Sequence, residues 1–251
     1  MKFENTEVFN FEGALRGMRL PMQSSSKADS HYCTPNECIN CKYYGKEPEI
    51  IDKGLQIYTT CAGDDVDWTP YKIGENDMDL AQRLIKASNP HEKFMRQILV
   101  SMDIQANLKW WAQMDQYKVG TVTDSESVMH TIAKFQITRD CFEQLGYDDS
   151  LEIYDGYTIG NEWNNKIHIL EMLRQKYNET KDIRYWKALV DYLPESYLQK
   201  RTWTGNYETL RNIILQRRGH KMDFWTIFIN HLRSFPYAKE LLFYGLENSE
   251  K

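Results

Sequence analysis

Four cysteines carry the most recognisable metal-ligand spacing in the chain. Cys33, Cys38 and Cys41 form C-x4-C-x2-C, and Cys61 follows twenty positions later. Four thiolates close a tetrahedral zinc shell, and related spacings hold iron–sulfur clusters. Cys38 and Cys41 are close enough to grip one ion from a single turn, and His31 is a substitute ligand. The same residues read as four reduced thiols in a packed flap, because the second pair lacks a matching C-x2-C. A metal in such a shell is structural, since no coordination position stays open. Cys141 stands alone. A nucleophilic thiol needs a base or cation beside it, and only Arg139 is near in sequence, so burial is the expectation there.

A second group is basic: Arg201, Arg211, Arg217, Arg218, His220 and Lys221. On one helix Arg211 and Arg218 are seven apart and share a face, with Arg217 about 100° away. Planar guanidinium groups suit a phosphate or an anionic ring because they donate paired hydrogen bonds. Cations complementing the dipole at a solvated helix end explain the same pattern. A third group begins at Trp110-Trp111 and runs through Gln113, Gln116 and Lys118 to Gly120, then Thr121, Thr123, Asp124, Ser125, Glu126 and Ser127. Gly120 lets backbone approach a ligand closely, and the hydroxyls and carboxylates offer hydrogen bonds to a sugar, base or phosphate.

Four stretches must position these residues. Up to Ser30, two glycines and Pro21 close together suggest a turn or loop leaving a short strand or helix. Residues 31–73 hold four of the five cysteines and three of the seven prolines, and read as a loop-rich insertion. From Glu75 helices take over. Asn76 is the expected N-cap of a helix over 77–86, and residues 94–104 alternate imperfectly, as a strand would. A short helix is expected through 108–111, and 118–123 is more loop or strand than helix. Trp163, Ile167, Leu170, Leu173 and Tyr177 step as one amphipathic face. Asn206 caps a further helix ended by Gly219, and a last one passes Trp225 and Leu232 before Pro236. The fold class is α+β with helix dominating, in one domain over 1–251 that contains the insertion.

Composition removes several function classes. A 13% aromatic content excludes wholesale disorder, and no apolar run approaches the roughly 18 residues of a membrane span. A formal charge of −5 argues against a nucleic-acid polymer as partner. The opening residues are acidic where a secretory leader would be apolar, and five cysteines, an odd number, fit a reducing cytoplasm. A cytoplasmic location is therefore expected.

Two of these stretches resemble the flavin-dependent thymidylate synthase family. The order is a segment with His91, a strand-like run ending at Asp103-Ile104, a Trp-rich turn and the polar loop. Then come Leu193-Pro194, Trp203, Asn206 and the arginine-rich helix end at Arg217. They fall in register with the family's L-P-x-S/N-x-Y-T-x-F-x-W-x-x-N block and the R-x-R-x-D helix after it. The similarity covers about 75–240 and is nearest to a divergent, often phage-encoded branch, which would place the protein in the host cytoplasm. The family signature R-H-R-x-x-S-x-N-E-x-S-x-R falls on 116–127. Lys118, Thr121, Asp124 and, with a one-residue shift, Ser127 keep its charge or hydroxyl, while two cations and the terminal arginine differ.

The resemblance implies a helix-rich α+β domain with a central antiparallel or mixed sheet, assembling as a homotetramer whose active sites draw on several subunits. It implies transfer of a one-carbon unit from methylenetetrahydrofolate to C5 of a deoxypyrimidine nucleotide, dUMP first. FAD would be the cofactor and NADPH the reductant. Arg217 would bind the pyrimidine ring, and Gln113 and Gln116 the nucleotide. Thr121, Asp124, Ser125 and Ser127 would line the phosphate and sugar site. His91, Ser101, Lys118, Asn206 and Asn212 would touch the flavin. Alternatives are a dUMP or dCMP hydroxymethylase, a dCMP methylase, or a non-catalytic, metal-stabilised nucleotide-binding protein.

Overall fold

The computed structural model describes residues 1–34, 71–143 and 148–246. Its elements in chain order are β1 (Lys2–Phe9), α1 (Phe11–Arg19), β2 (His31–Tyr32), β3 (Tyr71–Lys72), α2 (Glu75–Lys86) and a 3-10 helix over His91–Gln97. After these come β4 (Leu99–Asn107), α3 (Leu108–Met114), β5 (Val122–Ser125), α4 (Val128–Thr131), β6 (Glu152–Tyr154) and β7 (Tyr157–Thr158). Next are α5 (Ile159–Thr180), α6 (Ile183–Asp191), β8 (Leu198–Asn206), α7 (Tyr207–Arg217), α8 (Asp223–Leu232) and a π-helical turn over Ala238–Leu242. A four-stranded sheet has the order β1-β4-β8-β5, and two short hairpins pair β2 with β3 and β6 with β7. Thr202 bonds Asp103 and Thr204 bonds Ser101, so β8 runs antiparallel to β4. The α+β expectation holds.

Contacts divide the chain into two compact units. One comprises Met1–Lys2, Ile104–Gln116 and Asp124–Arg201; the other Phe3–Asp103, Tyr117–Thr123 and Thr202–Lys251. The first packs around Ile132, Phe142, Trp163, Leu170 and Leu189, so the amphipathic face read along α5 supplies two of its core residues. In the second, Leu15, Met95, Tyr207, Trp225 and Phe228 are fully or almost fully buried.

β4 shows why alternation was legible. Val100, Met102, Ile104 and Ala106 are fully buried, and the residues between them are half-exposed except Asn107 at the strand's end. The expected strand over 94–104 nevertheless begins only at Leu99. Phe94 and Met95 are adjacent and both buried, which a strand with one inward face cannot achieve, and the chain coils there into the 3-10 helix. The N-terminal stretch, read as a turn or loop leaving a short strand or helix, holds both a strand of eight residues and a helix of nine, with the glycines inside the helix. Gly13 lies inside α1 because a Cβ there would meet the Asn10 side chain at 2.3 Å, so that glycine marks close packing and not a turn.

A second correction concerns the start of α2. Asn76 does not cap it. Asp29 does so from 47 and 48 positions away, accepting from the backbone N–H of Asn76 at 2.8 Å and of Asp77 at 3.0 Å. Asp77 in turn accepts from Arg19, from the Ser30 hydroxyl and from the backbone of Asp29 and Ser30. Burial pushes its pKa up, and the hydrogen bonds from Ser30 and Arg19 more than offset that, holding the carboxyl below its usual range. The same polar knot fixes the chain beside β2 and β3, the strands flanking the cysteine-rich stretch. Cys33 is half-buried just after β2, whereas Cys38, Cys41 and Cys61 lie outside the described residues.

Candidate functional site

The 117–121 turn is nailed to α7. Gly120 has φ +71°, a left-handed conformation that a Cβ would strain, and a Cβ there would also stand 2.8 Å from the Asn206 amide nitrogen. Thr121 closes the turn by donating its hydroxyl to the Tyr117 carbonyl at 2.6 Å. Thr209 donates to the Val119 carbonyl at 3.3 Å, and Asn206 to the Gly120 carbonyl at 3.4 Å. Asn206 also caps α7 as expected, accepting from the Thr209 N–H at 3.0 Å. Buried and doubly used, its side chain organises the turn.

At the other end of α7 the turn meets Arg217. Arg217 Nε donates to the Tyr117 hydroxyl at 2.8 Å, and that hydroxyl donates onward to Gln216 Oε1 at 3.1 Å. The guanidinium lies 4.8 Å from the Trp225 ring centroid and 5.6 Å from that of Tyr117. The two rings stand edge to face at 6.4 Å. Cation–π contact holds the plane of the cation while leaving its charge intact. Among the described residues, neither terminal nitrogen of half-buried Arg217 bonds a carboxylate or carbonyl. What remains is a fixed, planar, two-pronged donor. His220 packs edge-on against Trp225, and its Nδ1 accepts from the Met222 N–H at 3.1 Å.

The basic group does not act as one face. Arg211 is buried and donates to the carbonyls of Leu242 at 2.8 Å and Leu241 at 3.3 Å, with Glu92 at 3.7 Å. Burial raises the Glu92 pKa, and Arg211 opposes the rise. Arg218 donates to the Leu246 carbonyl at 3.2 Å. Arg201 stacks on Trp111 at 4.4 Å and bonds both Asp115 oxygens at 3.0 Å. Of these four arginines, Arg217 alone keeps its terminal donors unspent among the described residues.

Arg217, Thr121, Lys118, Asn206, Asn212, His91 and Ser101 belong to the second unit. Lys118 is exposed on the turn, Asn212 is exposed on α7, His91 is exposed at the start of the 3-10 helix, and Ser101 accepts from Thr204 at 3.3 Å. Gln113, Gln116, Asp124, Ser125 and Ser127 belong to the first. Asp124 and Ser125 are exposed on β5, and Ser127 caps α4 through the His130 N–H at 3.3 Å. Sequence reasoning missed Tyr117, Gln216 and Trp225. Tyr117 was visible inside the signature window, but nothing local ties it to Arg217, 100 positions on. Among the described residues, no three His, Cys, Asp or Glu side chains gather to hold a metal ion. Cys141 is half-buried beside the first unit's core, within sulfur hydrogen-bond reach of the Gln136 carbonyl at 3.8 Å.

No family model and no curated protein matches the sequence. Solved structures do. The flavin-dependent thymidylate synthase ThyX from Helicobacter pylori, complexed with FAD and dUMP, matches 97% of this chain and 98% of its own, at TM-score 0.60 and 14% identity. A second structure of that Helicobacter pylori enzyme with FAD and dUMP matches 97% of each chain at TM-score 0.59 and 14% identity. At such identity the likeness is one of architecture: this chain has the fold of the flavin-dependent thymidylate synthases.

Proposed function

We propose that the protein is a flavin-dependent enzyme that methylates C5 of a deoxypyrimidine nucleotide, converting dUMP to dTMP with methylenetetrahydrofolate as one-carbon donor and NADPH as reductant. The observation that carries this reading is the clasp of the 117–121 turn around Arg217, on a fold shared with two solved structures that hold FAD and dUMP. The chemistry of the site suits both ligands. Arg217 and exposed Lys118 are cations without carboxylate partners among the described residues, and flat aromatic surface lies beside one of them. That combination fits flat, anionic molecules.

The transferred carbon arrives at the oxidation level of formaldehyde and ends as a methyl group, so two electrons must be supplied. Flavin, held by the residues named below, would supply them, and the nicotinamide would restore its reducing equivalents. The chain's own residues bind, orient and stabilise charge. Arg217 would hold the pyrimidine edge through its two terminal nitrogens and stabilise negative charge developing on the ring. Gln113 and Gln116 would bind the nucleotide, and Thr121, Asp124, Ser125 and Ser127 would line its sugar and phosphate. His91, Ser101, Lys118 and Asn212 would contact the flavin, with Asn206 acting through the turn it fixes. No cysteine attack on the ring is required, in keeping with the lack of a convincing nucleophile. The assembly would be a homotetramer in the cytoplasm. Among the described residues no helix is long and apolar enough to cross a membrane.

Absorbance of the purified protein and mass analysis of its product test the reading. A flavin spectrum, with dUMP gaining one CH2 when folate and NADPH are supplied, is the expected result. A protein without flavin and without product sinks it. The changed signature over 116–127, where Gln116 and Tyr117 stand in place of two cations, favours a second reading in which dCMP is the substrate or a hydroxymethyl group the product. Offering dUMP and dCMP in turn separates the two. Zinc or iron–sulfur at Cys33, Cys38, Cys41 and Cys61 would be structural and is checked by metal analysis of the same sample.

A further inference from the structure

We propose that Tyr117 is a positioning residue for Arg217, setting the guanidinium so that only its terminal nitrogens are left for the pyrimidine. This rests on the reading of Arg217 as the ring-binding arginine. The Tyr117 hydroxyl uses both its hydrogen-bonding roles, accepting from Arg217 Nε at 2.8 Å and donating to Gln216 Oε1 at 3.1 Å. It is therefore fixed in direction, and so is the Nε–H it receives. A phenol also leaves the cation's charge intact, where a carboxylate in its place would neutralise the group needed for substrate. Trp225 lies against the guanidinium at 4.8 Å, which fixes the plane.

The tyrosine is itself held. Thr121 bonds its carbonyl at 2.6 Å, and Asn206 and Thr209 pin the same turn to the first residues of α7. Turn, helix and arginine thus form one preorganised piece. Binding the ring then costs little further ordering of a long, flexible side chain.

Tyr117→Phe keeps the ring and deletes only the hydroxyl. Calorimetry on the full chain should show the Kd for dUMP rising about tenfold, or about 1.4 kcal/mol. The Kd for 2-deoxyribose 5-phosphate, which has no base, should be unchanged, whereas a merely structural role would weaken both. In an Arg217→Ala background the added Tyr117→Phe change should cost less than about twofold, because the two act as a unit. Losses that multiply in the double variant, or a Tyr117→Phe protein that binds dUMP normally, overturn the proposal. Solvent exchange of the Arg217 Nε–H, followed by NMR without any ligand, should speed up at least tenfold in Tyr117→Phe; equal rates overturn the seat itself. Wild-type protein that ignores dUMP overturns the functional reading and the substrate side of this proposal, while the exchange rate still decides whether Tyr117 holds Arg217.

Discussion

Among the described residues Arg201 and Arg217 both lie on tryptophans, and their surroundings are opposite. In the first unit Arg201 stacks on Trp111 at 4.4 Å, bonds both oxygens of Asp115 and donates its Nε to Gln199 at 2.9 Å. In the second Arg217 stacks on Trp225 at 4.8 Å and bonds one neutral hydroxyl. The aromatic platform is shared; the difference is the carboxylate. A guanidinium answered by a carboxylate is already neutralised and ties β8 to the end of α3. One answered by a phenol keeps its charge and two donors in reserve. The stack alone therefore marks no site; under the proposed function it is the unspent donors that do.

The comparison reaches its limit at Arg19, which is almost fully buried with Asp77. Asp77→Ala is the largest expected effect, a loss of about 3–5 kcal/mol in chemical denaturation, because a buried cation is left without its partner. The folded-state pKa of Asp77 is depressed. Its contribution is present above the ordinary carboxylate range and is lost as pH falls through the lower, folded value. A loss under about 1 kcal/mol would show that the Arg19 site hydrates readily. Next comes Arg217→Ala, expected to lower turnover of dUMP by about 10²–10³, the usual cost of removing a donor to developing charge. Stability should move by about 1 kcal/mol, since two half-exposed aromatic contacts and one hydrogen bond to a neutral group are lost. Arg201→Ala should do the reverse, costing about 1–2 kcal/mol of stability with the Kd for dUMP unmoved. If the two variants gave the same pattern, the carboxylate criterion would be wrong.

What the sequence made legible was local. Asn206 three residues before the N–H it caps, the one-sided stripe on α5 and the alternation along β4 all follow from backbone geometry within a few positions. Arg217 stood among six basic residues and was singled out from them only because the family that the sequence resembles places an arginine there. Its partners were hidden, since Tyr117 is 100 positions away and nothing in a turn sequence says which helix it will lie on. The Asp29 cap of α2 was hidden for the same reason, and Asn76, next to the helix, was the natural but wrong choice. Arg211 looked like ligand-binding charge because sequence shows charge and not burial. Its donors go to the Leu241 and Leu242 carbonyls, which no pattern of residue types announces.

The smallest expected effect extends the saturated class into α5. Arg174 donates to both oxygens of Glu171, at 2.8 and 2.6 Å, and to the Ala133 carbonyl at 3.3 Å. Those Arg174 bonds, helped by the Ile137 N–H and by Gln175 against the opposing pull of burial, lower the Glu171 pKa from 4.5 to about 2. The folded pKa lies below the unfolded one, so the stabilisation is complete above pH 4.5 and disappears as pH falls toward 2. Glu171→Gln should therefore be less stable than wild type at neutral pH, with the gap narrowing through that window as measured by thermal melting. Arg217 has no carboxylate partner among the described residues, so Arg217→Ala should run parallel to wild type over the same pH range. Parallel curves for Glu171→Gln as well would mean that solvent screens its pair, and that saturation by a carboxylate does not distinguish a structural arginine from a ligand-binding one.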